Sequence, residues 1–199
     1  MSSPFVIGLT GSIGMGKTTT ARMFEDAGVP VWDADVAVHR LYAPGGLAVT
    51  PLRAIRPDIV RNDGVDRTAL KAWMAEDPTA LERIESVVHP LVAEDRAGFL
   101  ARCRSDIAVV DVPLLFETGA AGSVDAVVVV SAPEDLQRRR VLRRGTMDPA
   151  TFEAILAKQM PDAEKRKRAD YVIETRSLEA ARAQVHSVLT DIREKMTHA

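Results

Sequence analysis

The stretch GLTGSIGMGKTTT, residues Gly8–Thr20, decides how the rest of the chain is interpreted. It overlaps an apolar, β-branched run, PFVIGLT (Pro4–Thr10), and leads into KTTTARMFEDAG (Lys17–Gly28), in which apolar residues recur at helical spacing. The pattern predicts a strand, a glycine-rich loop and a helix. VPVW (Val29–Trp32) predicts a second strand, which completes a β-α-β unit with parallel strands and a right-handed crossover.

The glycine-rich loop, GSIGMGKT (Gly11–Thr18), matches the phosphate-binding pattern G-x-x-x-x-G-K-[ST] at every position. Glycines let successive backbone N–H groups converge on an anion, and the helix that follows adds the positive end of its dipole. Lys17 is expected to reach the β and γ phosphates of a bound nucleotide, and Thr18 to ligate Mg²⁺. The alternative is a glycine-rich turn that only caps a helix. The predicted nucleotide-binding residues are Gly11, Ser12, Ile13, Gly14, Met15, Gly16, Lys17, Thr18 and Thr19.

Composition limits the classes of function. The chain has 199 residues, 46% of them hydrophobic and 27% charged, which suits one globular domain with a buried core. A net charge of −2 argues against nonspecific electrostatic binding to nucleic acid or to an anionic membrane. The longest apolar runs fall far short of the ~18 residues of a membrane span. A lone cysteine, Cys103, and no evident secretory signal predict a cytoplasmic protein.

The middle of the chain differs in character from its two flanks. Residues 35–104 show mostly helical patterns, broken by turn signals such as NDG (Asn62–Gly64). Two near-continuous apolar runs follow, IAVVDV (Ile107–Val112) and VDAVVVVS (Val124–Ser131), as expected of parallel strands covered on both faces. Short helices and a last strand, YVIE (Tyr171–Glu174), come next. The fold class predicted is α/β, a parallel sheet flanked by helices with a helical insertion.

Three classes of nucleotide-binding protein remain after the loop is identified. A GTPase is expected to carry the guanine-selecting pattern N-K-x-D, which the sequence lacks. A motor or assembly ATPase normally needs a longer chain. A small-molecule kinase needs an acceptor site, a carboxylate that activates a hydroxyl, and cations that close over the phosphates.

Candidate carboxylates follow the predicted strands. Asp33 and Asp35, in DADVAVH, lie at the carboxyl edge of the second strand, where open α/β sheets bind ligands. Either could accept the proton of an attacking hydroxyl, either could cap the next helix, and both roles can coexist. Asp111 ends an apolar strand and either holds Mg²⁺ through water or is a plain strand-end carboxylate.

Candidate cations lie further along. QRRRVLRR (Gln137–Arg144) places five arginines on one predicted helix, with Gln137, Arg140 and Arg144 on one face. Such a run is either a solvated surface or, before short helices and a returning strand, similar to the lid of a nucleotide kinase. His89 precedes Pro90, which predicts an extended or turn conformation at the histidine, in a structural or a ligand-binding role.

Taken in order, several segments resemble dephospho-coenzyme A kinases over about residues 5–175. The resemblance implies transfer of the ATP γ-phosphoryl group to the ribose 3′-hydroxyl of dephospho-CoA, giving CoA and ADP. The blocks around the two aspartates, the His-Pro pair and PLLFE separate this family from other phosphate-loop kinases. The segments are IGLTGSIGMGKTT, DADVAVHRLYAPGG, DRTAL, VHPLV, VPLLFE, the Gln137/Arg140/Arg144 spacing and AKQMPDAEKRKRADYVIE.

The resemblance also implies roles for matching residues. Asp35 is the expected general base with Asp33 in support, while Lys17, Arg144 and Arg140 neutralise developing phosphate charge. Arg67 and His89 become candidate acceptor contacts. The implied organisation is one kinase domain over 1–199, with a core of about 1–34, 105–135 and 169–199, an acceptor-binding insertion of about 35–104 and a lid of about 136–168.

The chain departs from the family pattern at a few positions. Met15 stands where a small residue is usual, at a position expected to supply mainly backbone, and Thr175 replaces a common asparagine near the expected adenine. GTM follows Arg144 where Asp-Gly is common, so the lid register can differ by a residue. Two other functions remain as alternatives to dephospho-CoA kinase activity. One is another small-molecule or nucleoside-monophosphate kinase, and the other is a nucleotide-binding regulatory protein. The oligomeric state is not specified by the sequence, and we take the chain to be a monomer.

Overall fold

The computed structural model describes residues 3–198, which contain both strands and helices. The strands are β1 (Phe5–Thr10), β2 (Val31–Asp33), β3 (Val60–Arg61), β4 (Gly64–Val65), β5 (Ile107–Asp111), β6 (Ala126–Ser131) and β7 (Tyr171–Glu174). The helices are α1 (Lys17–Asp26), α2 (Ala34–Tyr42), α3 (Val49–Ile55), α4 (Arg67–Glu76), α5 (Ala80–Arg102), α6 (Glu134–Arg143), α7 (Pro149–Leu156), α8 (Asp162–Arg168) and α9 (Leu178–His198). Short 3₁₀ turns cover Pro57–Ile59 and Ala120–Ser123.

The main sheet has the strand order β2-β5-β1-β6-β7. β1 pairs in parallel with both β5 and β6, and β6 pairs in parallel with β7. Every residue of β5 and β6 is buried, as their apolar runs predict for strands covered on both faces. The α/β fold class is therefore confirmed. The carboxyl ends of β1, β5 and β6 meet at one edge, and the glycine-rich loop leaves from it.

The chain divides into two compact units. Of the described residues, the first contains 3–31 together with 103–198. Its core joins strand residues to helices α1 and α9, with Ile7, Leu9, Phe24 and Val185 each 0% exposed. Burying side chains of this size contributes roughly 1.5–3 kcal/mol each to the stability of the fold.

Within residues 3–198, no helix combines the length and apolar character needed to cross a bilayer.

The second unit, Trp32–Arg102, has its own core. Trp73 of α4, 1% exposed, packs there among apolar residues of α2, α3 and α5. The sequence pattern predicted mainly helices here, and NDG as a simple break. Instead, β3 and β4 form an antiparallel hairpin in which Val60 pairs with Val65. Asn62 and Asp63 take positive φ values of 48° and 59°, which a two-residue hairpin turn with a matching twist requires.

The expected extended or turn conformation at His89 is wrong. His89 and Pro90 lie inside α5, which runs from Ala80 to Arg102. Proline removes one helical hydrogen bond and disfavours helical φ and ψ at the preceding residue, at about 3 kcal/mol. Ile84 and Val88 pack into the core on one side of Pro90 and Leu91 on the other, so their burial outweighs that local cost.

Candidate active site

The glycines of the loop between β1 and α1 each meet a steric requirement. A Cβ on Gly11 would lie 2.6 Å from the carbonyl oxygen of Val130. Gly14 and Gly16 have φ values of +79° and +98°, in the left-handed region that side chains rarely adopt. A Cβ on Gly14 would also lie 2.5 Å from a methyl group of Val141. The motif residues therefore adopt a tight loop that ends at the N-terminus of α1.

Side chains from distant parts of the first unit hold the loop backbone. The amide of Gln137, 2% exposed on α6, donates to the Ile13 carbonyl over 2.7 Å. The Ile13 N–H donates to the side-chain oxygen of Gln159 over 3.1 Å. Met15 contributes more than backbone, since its side chain is 3% exposed and its sulfur accepts from the Ala132 N–H over 3.1 Å. The loop is therefore fixed on the side that faces the protein.

Lys17 and Asp111 meet at the carboxyl edge of the sheet. The Lys17 ammonium donates to the Asp111 carboxylate, which is almost fully buried at the end of β5. Thr18 is exposed in the first turn of α1. The Ser12 hydroxyl is buried and has no hydrogen-bond partner within the described residues. The motif thus supplies a cation, an exposed hydroxyl and an unsatisfied donor, and Asp111 adds a carboxylate beside it, a set that suits a phosphate group and a hard divalent cation.

Helix α6 carries the arginine run. Arg140 donates from Nη1 to the Thr175 hydroxyl over 2.8 Å and from Nη2 to the Thr175 carbonyl over 2.5 Å. Burial, followed by repulsion from Arg144, Arg139 and Arg143, lowers the pKa of Arg140 from its ordinary value. Arg144 caps the helix and is exposed, as is Arg139, which pairs with Asp135 over 3.3 Å. Arg144 is thus open to a ligand, whereas Arg140 is engaged within the protein.

A cavity of about 430 Å³ adjoins the loop and helix α1. Its size falls within the range typical of small-molecule and cofactor sites. Arginines line one part of it and the segment after β7 another. The lining residues are Gly16, Thr19, Thr20, Met23, Arg140, Arg143, Arg144, Thr175, Arg176, Ser177, Leu178 and Ala181.

A buried ion pair joins the segment after β5 to α8. Lys165, with a side chain 0% exposed, lies with its ammonium 2.9 Å from Glu117 Oε1, which also accepts from the Met160 N–H over 2.9 Å. Burial alone would raise the pKa of Glu117, but Lys165 and the Met160 N–H hold it below its ordinary value. The pair therefore favours the ionised carboxylate and fixes the short segment that carries Gln159.

We expect Glu117→Gln to lower the free energy of unfolding by about 3 kcal/mol at pH 7, because it leaves the Lys165 ammonium buried without its counter-ion. The folded-state pKa of Glu117 is below its unfolded value, so this stability is present above the unfolded pKa and lost as pH falls through the folded one. Urea unfolding at pH 7 and at stepwise lower pH measures it. Glu164→Gln, which breaks an exposed pair with Lys167, is the control and should cost under ~0.5 kcal/mol. A difference that persists unchanged at low pH would contradict the ionic origin.

The two aspartates of DADVAVH differ in their roles within the second unit. Asp33 is the N-cap of α2 and accepts from the Val36 N–H over 3.0 Å. Asp35 lies in the first turn of the same helix with its side chain exposed. The capping alternative thus holds for Asp33, and Asp35 is the carboxylate that stays open to an acceptor.

Basic side chains lie further along α2 and at the start of α4. Arg67 Nη2 is 3.4 Å from His39 Nδ1, and Arg40 donates to Asp95 of α5 over 2.8 Å. His39 lies four residues after Asp35 and so shares a face of α2 with it. His89 is exposed on α5. Sequence reasoning missed His39, although its i, i+4 spacing from Asp35 could have indicated it.

The residues that support the loop were harder to find from sequence. Gln159 and Thr175 contact the loop backbone across more than 140 positions of chain, as the separations 146 and 160 show. No local pattern marks such partners. Gln137 had one signal, since its i, i+3 spacing from Arg140 placed the two on one face of α6.

Comparison with known proteins gives a consistent result. A family model described as dephospho-CoA kinase matches residues 5–180. The dephospho-CoA kinase of Cereibacter sphaeroides is 61% identical over 191 residues, covering 96% of this chain and 97% of the relative. A crystal structure of a Thermus thermophilus protein superimposes with a TM-score of 0.85 at 33% identity, covering 96% and 98% of the two chains. A shikimate kinase from Bacteroides thetaiotaomicron, at 15% identity, shares the fold with a TM-score of 0.54 and coverage of 95% and 98%.

Proposed function

Because the chain belongs to the dephospho-CoA kinase family, which phosphorylates dephospho-CoA in the final step of CoA biosynthesis, we propose a role for each part of its site in that reaction. The acceptor atom is the ribose 3′-hydroxyl, the donor is the γ-phosphoryl group of ATP, and the products are CoA and ADP. The observation that carries the assignment is the loop Gly11–Thr18, held in its tight conformation at the N-terminus of α1 beside Lys17 and Asp111.

The loop binds the triphosphate. Its N–H groups and the buried Ser12 hydroxyl donate to phosphate oxygens, which would satisfy a donor that has no partner among the described residues. Lys17 moves from Asp111 to the β and γ phosphates. Thr18 and Asp111 would hold Mg²⁺, a cation that favours hydroxyl and carboxylate oxygens and neutralises phosphate charge when bound.

The adenosine of ATP occupies the cavity of about 430 Å³ beside Gly16 and Thr19. Three of the residues that line it are arginines, Arg140, Arg143 and Arg144, which favours an anionic ligand. Arg144, exposed at the end of α6, neutralises charge that develops on the transferring phosphoryl group. Arg140 contributes less directly, because both terminal nitrogens of its guanidinium donate to Thr175.

The second unit binds dephospho-CoA. Asp35 accepts the proton of the 3′-hydroxyl as it attacks, and Asp33 fixes the start of the helix that presents Asp35. Arg67 and His39, 3.4 Å apart, supply donors for the anionic pyrophosphate of the acceptor. We assign His89 to the same substrate as an exposed contact on α5.

The proposed location is the cytoplasm, which suits a chain whose single cysteine, Cys103, is a free thiol.

The test is ADP release over a panel of acceptors that includes dephospho-CoA, adenosine and several nucleoside monophosphates. We expect turnover with dephospho-CoA to exceed that of every other acceptor by at least ~10²-fold, because only dephospho-CoA carries both a ribose hydroxyl and the pyrophosphate arm. Strong turnover with a nucleoside monophosphate and none with dephospho-CoA would overturn the assignment.

A further inference from the structure

The carbonyl of Met15 has a specific partner outside the phosphate loop. The Thr175 hydroxyl donates to it over 2.6 Å, whereas the Ser131 carbonyl, a second possible acceptor, lies 3.4 Å away. Thr175 directly follows β7, is 6% exposed, and its N–H donates to the Ser131 carbonyl over 2.9 Å. The sheet therefore fixes the backbone of Thr175, and its side chain connects the sheet to the loop.

Arg140 determines the direction of that hydroxyl. Arginine has donors only, so the Thr175 oxygen must accept from Nη1 at 2.8 Å and offer its own proton elsewhere. The second hydrogen bond of the guanidinium, to the Thr175 carbonyl, fixes the orientation of the Arg140 side chain. A charged donor polarises the hydroxyl and strengthens the bond that the hydroxyl makes in turn. The proton of Thr175 is thus directed at Met15.

The peptide between Met15 and Gly16 is the point where this bond affects ligand binding. In a trans peptide the C=O and N–H groups point in opposite directions, so a carbonyl held by Thr175 directs the Gly16 N–H away from Thr175. Gly16 has φ +98°, and a Cβ there would lie 3.2 Å from the Thr175 hydroxyl oxygen. Thr175 therefore packs against Gly16 on the side opposite its N–H.

We propose that Thr175 is a positioning residue of the phosphate loop, whose hydroxyl holds the Met15–Gly16 peptide so that the Gly16 N–H is oriented to donate to a phosphate oxygen. This inference rests on the proposed binding of ATP phosphates by the loop. It gives Thr175 a role toward the phosphates, although the residue lines the cavity assigned to adenosine.

The experiment compares Thr175→Val, which keeps the shape and removes the hydroxyl, with Thr175→Ser, which keeps the hydroxyl. Calorimetry measures the Kd of ATP and of inorganic tripolyphosphate, which has no base, in the presence of Mg²⁺. We expect both Kd values to rise about 5- to 10-fold in the valine variant, as for one lost hydrogen bond, and to stay within about 2-fold of wild type in the serine variant. Circular dichroism checks folding, and Thr175→Ala replaces the valine variant if the latter does not fold.

Each other outcome contradicts the inference. A weaker Kd for ATP with unchanged tripolyphosphate binding would make Thr175 a base contact. Unchanged Kd values for both ligands would show that Thr175 has no positioning role. Failure of the wild-type protein to bind tripolyphosphate would show that the loop does not bind phosphates at all. Since tripolyphosphate binding needs no acceptor, the inference stands if the valine variant loses that affinity even where dephospho-CoA is not turned over.

Discussion

Asp35→Asn is expected to lower kcat by at least ~10²-fold while the Kd of ATP stays within about 2-fold of wild type. Asparagine keeps the size and polarity of the side chain but cannot take a proton from the attacking hydroxyl. Asp35 is exposed in the first turn of α2, where the substitution disturbs no buried contact. The measurements are steady-state turnover with dephospho-CoA and calorimetric titration with ATP.

Two variants serve as controls for Asp35. Asp33→Asn should preserve helix α2, because asparagine caps helices about as well as aspartate. Asp58→Asn changes another exposed carboxylate of the same unit, one that pairs with Arg56 over 2.7 Å, and should leave kcat unchanged. Full activity of the Asp35→Asn variant would remove Asp35 from the mechanism, whereas an equal loss in Asp58→Asn would point to a general charge effect.

Lys17→Met should lower kcat/KM for ATP by at least ~10²-fold, because the variant lacks the cation that stabilises charge on the transferring phosphoryl group. The same change leaves Asp111, 1% exposed, without the lysine and is expected to destabilise the fold. Stability and activity are separated by the double variant Lys17→Met/Asp111→Asn. It should recover much of the lost stability and none of the activity.

Lys195→Met is the matched control for Lys17. Lys195 also pairs with a carboxylate, Asp191, over 2.8 Å, but it is two-thirds exposed on α9. The control should retain wild-type kcat/KM and nearly wild-type stability, because exposed ion pairs contribute little to folding. Wild-type kcat/KM in the Lys17→Met variant, measured at saturating dephospho-CoA, would show that the loop lysine does not act on the phosphates.

The parts of the fold that were predictable from sequence are those that local chemistry specifies. The phosphate loop needs glycines at positions with positive φ, such as Gly14 and Gly16, so its pattern is visible in the sequence. The runs around Val109 and Val128 are nearly all apolar because both faces of a parallel sheet are covered. The α/β class followed from these runs, and the strand at Tyr171–Glu174 followed from its short apolar run.

Features that depend on tertiary packing were not predictable in this way. Pro90 indicated a break, but the core residues on both sides of it keep α5 continuous. Each strand of the hairpin at Val60–Val65 is only two residues long, which is too short to show the alternation of apolar and polar residues typical of a strand. The network of Thr175, Arg140 and Met15 depends on contacts between distant segments, so neither composition nor spacing could indicate it.

Identification of the phosphorylated product tests the central claim most directly. The protein is incubated with ATP, Mg²⁺ and dephospho-CoA, and the product is separated and analysed by phosphorus NMR. The account predicts one CoA for each ADP, with the new phosphate on the ribose 3′-oxygen. ADP released together with inorganic phosphate and no CoA, or a phosphate found on the 2′-oxygen or added to the pyrophosphate, would contradict it.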